Sequence, residues 1–60
     1  MGIMCSVVTE RGLVTFDLDV GSDGRPMYIV SCWNGRNWSY SMHRRFEPAH
    51  ATFKQVSKMI

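Results

Sequence analysis

Residues 13–20 read LVTFDLDV, in which Val14, Phe16, Leu18 and Val20 alternate with Thr15, Asp17 and Asp19. Apolar side chains at every second position share one face of a pleated strand, whereas a helix would scatter them around its circumference. The alternation returns at 38–43, where Trp38, Tyr40 and Met42 interleave with Ser39, Ser41 and His43. Segments 3–9 and 27–33 are rich in β-branched and aromatic residues. Arg11-Gly12, Asp23-Gly24 and Asn34-Gly35 punctuate the four runs as hairpin turns. Pro26, without an N–H to donate, suits the mouth of the third strand.

The tail changes period. Phe46, Ala49, Phe53, Val56 and Ile60 follow three-four spacing, leaving His50, Lys54, Ser57 and Lys58 outside. Pro48 suits the first helical position, with Glu47 at the positive end of the dipole. A helix of about 13 residues is not stable alone, so it must lie on the sheet. The expected fold is α+β: a four-stranded antiparallel meander with one C-terminal helix packed on one sheet face. It forms a single domain over residues 1–60, since a chain this short holds no second core.

Turn geometry sets which residues face the helix. A two-residue turn at Asp23-Gly24 puts Val20 opposite Met27 and Leu18 opposite Ile29. With Trp33 opposite Trp38, Ile29 meets Met42. Strand one then adds Ile3, Cys5 and Val7 to the covered face. The uncovered face reads, in cross-strand rows, Met4, Asp19, Tyr28, His43, then Ser6, Asp17, Val30, Ser41, then Val8, Thr15, Cys32, Ser39. A slip of one residue in any hairpin would invert a strand.

That uncovered face is the expected working surface. An apolar patch that nothing in the chain covers tends to mark a partner site. Val8, Tyr28, Val30 and Cys32 are the expected contacts, with Trp33 and Arg36 at the turn, because tryptophan and arginine anchor interfaces. The reading is a non-enzymatic interaction module, a small regulator or inhibitor that binds another protein. A homodimer is the expected state, since a core this small gains stability from burying a second face. The alternative is a nucleic-acid-binding protein. Residues 1–24 sum to a charge of −3 and residues 25–60 to +5, and Arg44, Arg45, Lys54 and Lys58 could form a basic ridge. A small sheet followed by one helix resembles in outline the plant AP2-type and integrase arm-binding domains. The resemblance implies an open sheet face entering the major groove, lined with arginine, lysine and tryptophan. Here that face would carry Asp17, Asp19, Ser39 and Ser41, which departs from the pattern.

Catalytic and metal readings are thin. Asp17 or Asp19 with His43 and Ser41 supplies the residue types of a hydrolase, but a flat sheet offers neither pocket nor oxyanion hole. Cys5, Cys32, His43 and His50 are metal-ligand types without local pairing, and Cys5 and Cys32 are expected on opposite faces. No cofactor, metal or catalytic residue is therefore expected. Two cysteines make no disulfide framework and suit a reducing cytoplasm. Neither a secretory leader nor a membrane span is expected. Gly2 to Ser6 fits a myristoylation pattern, with Cys5 as a second acylation position. Asn37-Trp38-Ser39 is a glycosylation sequon that matters only on secretion.

Overall fold

The computed structural model describes residues 2–60, with side chains from residue 4 onward. Strands β1 (Gly2–Val8), β2 (Leu13–Val20), β3 (Pro26–Trp33) and β4 (Trp38–His43) form one antiparallel sheet in the order β1-β2-β3-β4. Helix α1 (Phe46–Met59) follows and packs on one face, mainly over β2 and β3. Pro26 opens β3, as a residue without an N–H should. The strands and the helix fall where the residue patterns place them.

The three turns decide the pairing. In the first, the Thr9 N–H donates to Gly12 O at 2.9 Å and the Gly12 N–H to Thr9 Oγ1 at 3.0 Å. Glu10 and Arg11 form the loop and Val8 faces Leu13, so the expected register moves by two residues and the faces are kept. The third turn pairs Trp33 with Trp38, as expected. Gly35 takes φ +94° there, a positive value that glycine adopts without a Cβ penalty. Asn34 Oδ1 accepts from the N–H groups of Arg36 and Asn37, each at 2.9 Å.

The second turn corrects the expectation. The Gly21 N–H donates to Arg25 O at 2.8 Å and the Gly24 N–H to Gly21 O at 3.0 Å, with Gly24 at φ +78°. The loop is therefore the three-residue Ser22-Asp23-Gly24, in which the glycine takes the left-handed position. Val20 faces Pro26 and Leu18 faces Tyr28, one residue from the two-residue register. With a side-chain period of two, that single step turns β3 and β4 over relative to β2.

Consequently Tyr28, Val30 and Cys32, expected on the open face, lie beneath α1. The core comprises Val14, Phe16, Val30, Cys32, Ala49 and Phe53, with Val7, Tyr28, Val56 and Ile60 packed around it. The Phe16 ring is its hub, stacked on Phe53 at 5.4 Å and lying 5.8 Å from Phe46 and 6.1 Å from Tyr28. Ser39, Ser41 and His43 stand opposite Cys32, Val30 and Tyr28 and so face the helix side.

Two further expectations change. Phe46 is the first helical residue, and Pro48 sits third, still within the turn whose N–H groups have no intrahelical partner. Cys5 lies on the helix side opposite Phe16 but is exposed, because α1 does not extend over edge strand β1. A bulge at Met4, between the pairs Ile3–Asp17 and Cys5–Phe16, shifts the register near the start of β1. The Ile3 side chain, expected in the core, lies outside the described residues, as does Met1 ahead of the acylation pattern.

Candidate functional site

The open face is a grid of alternate residues from four strands. One row reads Val8, Leu13, Trp33, Trp38; the next Ser6, Thr15, Ser31, Tyr40; a third places Asp17, Ile29 and Met42 together; Asp19 pairs with Met27 beyond it. Large side chains therefore ring a middle row of small ones. Thr15 and Ser31 are each only 7% exposed although no element covers them, so neighbouring side chains enclose them. The outer side chains are open: Trp38 is 47%, Tyr40 65% and Met42 66% exposed.

The aromatic groups are ordered against one another. Trp33 and Trp38 face across the hairpin with ring centroids 5.6 Å apart, and Trp38 stacks on Tyr40 at 6.2 Å and 13°. Such pairs stabilise a hairpin and also hold the rings rigid, which lowers the entropy lost when a partner covers them.

Charge is distributed as sharply as hydrophobicity. The chain's seven lysines and arginines lie in the hairpin turns, in the link between β4 and α1 or on α1, and none stands in a strand. Asp17 and Asp19 are the only charged side chains on the open face among the described residues. Asp17 Oδ1 is shut off from solvent and has no hydrogen-bond partner among them.

The expected contacts divide. Val8 and Trp33 belong to the open face, and Arg36 is exposed in the turn at its end. Tyr28, Val30 and Cys32 do not belong to it. The residues that replace them are Ile29, Trp38, Tyr40 and Met42, expected beneath the helix. The signal was present in the same letters, since Ser-Asp-Gly is as good a three-residue loop as Asp-Gly is a two-residue one.

The basic residues do not share a surface with this grid. Arg44 Nη1 lies 3.2 Å from Asp23 Oδ1. The backbone N–H of Arg25 at 3.1 Å and then that guanidinium hold the Asp23 carboxyl below the usual carboxylate value. Arg45 occupies the residue before α1 without a side-chain hydrogen bond to it, and Lys54 and Lys58 are exposed one turn apart on the helix.

On the helix side, His43 Nε2 lies 3.2 Å from Ser41 Oγ. Asp17 and Asp19 project from the opposite face and cannot orient that imidazole. Beside the pair, a cleft of about 200 Å³ between β4 and α1 is lined by Val30, Cys32, Ser39, Tyr40, Ser41, Thr52 and Val56. Cys5 and Cys32, expected on opposite faces, are both on the helix side and unbridged. Among the described residues, no three of His, Cys, Asp and Glu are grouped to hold a metal ion, and no helix is long and apolar enough to cross a membrane. No family model, curated protein or solved structure matches the chain.

Proposed function

We propose that this chain is a non-enzymatic docking module, a small regulator or inhibitor that binds another protein through the open face of its sheet. The observation that supports it is the strip of exposed Trp38, Tyr40 and Met42 backed by Trp33 and Ile29, on a face that no element of the fold covers. Aromatic residues at the centre of a patch contribute most of the binding energy at interfaces. Free thiols at Cys5 and Cys32 suit work in the cytoplasm. Trp38, Tyr40 and Met42 take the place of Tyr28 and Val30 as the apolar groups that a partner, or a second copy of the chain, would bury.

Nucleic-acid binding has less support. Arg44 is engaged by Asp23, and the sheet has no lysine or arginine to meet phosphate. A pull-down from native cells separates the two readings. Trp38→Ala with Tyr40→Ala should abolish capture of the partner, at about 2 kcal/mol or more per anchor. Arg44→Ala with Arg45→Ala should leave it intact. Loss confined to the arginine pair, with nucleic acid in the bound fraction, would overturn the docking reading.

A further inference from the structure

The composition of the open face restricts what can lie on it. Aliphatic and aromatic groups, Ile29, Met42, Trp38 and Tyr40, offer area to an apolar partner surface. Asp17 and Asp19 stand at the end of the face away from the tryptophans. A wholly apolar partner would strip water from both carboxylates and return nothing, and an uncompensated buried charge weighs heavily against such a contact. A second copy of this chain is similarly mismatched. It would bring two more carboxylates to the contact and no cation from any strand. An apolar partner carrying cations has neither defect.

Resting on the docking reading above, we infer that the occupant of the open face is a basic, apolar protein segment whose arginine or lysine side chains pair with Asp17 and Asp19. Asp17 adds to this, since its Oδ1 is withdrawn from water without a donor and a cation at the outer edge of that carboxylate would offset a charge the fold leaves unpaired. A guanidinium on that carboxylate makes charge-assisted hydrogen bonds, roughly twice as strong as neutral ones. A second cation can lie over the stacked Trp38 and Tyr40 rings, whose faces attract positive charge. An extended segment with leucine and arginine at every second position and serine between them, or a helix with one mixed face, presents such a surface.

The test uses the intact chain and two synthetic extended peptides of about six residues, the usual length of a strand. One carries leucine and arginine at every second position with serine between them, so that both point to the same side, and in the other glutamate replaces arginine. Trp33 and Trp38 both lie on the face, so intrinsic fluorescence reports its occupancy directly. The leucine–arginine peptide should bind about tenfold or more tighter than its glutamate counterpart. Asp17→Asn with Asp19→Asn should remove that preference, and Asp19→Asn alone should reduce it if the double variant does not fold. Lys54→Gln with Lys58→Gln, on the helix, should leave it unchanged. Equal binding of both peptides, or a preference that survives loss of both carboxylates, overturns the inference while the docking face stands. Binding that also survives Tyr40→Ala with Met42→Ala removes the docking face itself. Sedimentation that shows the chain self-associating in competition with the peptide assigns the face to a second copy, and likewise overturns the inference.

Discussion

At Gly12 an added Cβ would lie 1.6 Å from the Trp33 carbonyl oxygen, inside the atom it meets. The start of β2 and the end of β3 approach each other through that missing side chain. Gly12→Ala should therefore cost about 3 kcal/mol, the upper end for overpacking, because the obstacle is backbone. Gly24→Ala meets nothing within 4 Å and bears only the left-handed φ of +78°, for a loss of about 1–2 kcal/mol. Chemical denaturation of the two variants checks the order. The thiols give a second residue-scale measurement. Cys5 is exposed and Cys32 is 9% exposed under the helix, so timed alkylation should modify Cys5 roughly tenfold or more faster. Cys32 reacting first would mean the two-residue register after all. Asp23 supplies the pH test. Its carboxyl is held low in the fold, so its contribution is complete above the unfolded value of about 3.9 and is lost as pH falls through the folded value. Asp23→Asn keeps the side-chain oxygen that caps Arg25 but not the charge, so its stability deficit should be present at neutral pH and vanish in acid.

Among the elements, α1 depends most on the rest. No side chain caps its first turn, and Ala49 and Phe53 are the residues it buries fully. Phe53→Ala removes the ring stacked on Phe16 and should cost about 3–5 kcal/mol, near the entire stability of a chain this size. Loss of helical circular dichroism together with the sheet signal is the expected result. Val30→Lys places an ammonium beneath the helix at a position 3% exposed, so it should unfold the chain. If Val30 faced outward, the same change would leave the helix in place. Element existence was legible along the chain, since alternation at 13–20 and 38–43 and three-four spacing after 46 are local periods. Their pairing was partly legible. The first hairpin was displaced by two residues and kept its faces, and the second by one and reversed them.

For the molecule as a whole, exposure and stability separate the face from the core. Tyr40→Ala with Met42→Ala touches residues about two-thirds exposed and should change stability by less than about 1 kcal/mol, while abolishing partner capture. Calorimetry beside the pull-down checks both halves. If a basic partner covers the face, the thermal midpoint of the chain alone should not rise with its own concentration. The elements, their order, the antiparallel meander, the helix-facing residues of β2 and the absence of cations from every strand can be read from the amino acids alone. These follow from side-chain period and residue type, which are properties of neighbours along the chain. That Tyr28, Val30 and Cys32 lie on the helix side while Trp38, Tyr40 and Met42 are surface depends on how the folded strands pair. Both sides of β3 carry apolar groups, so its pattern does not choose a face. The choice passed to one loop, where Ser22 joined the turn and an odd number of residues between β2 and β3 turned half the sheet over.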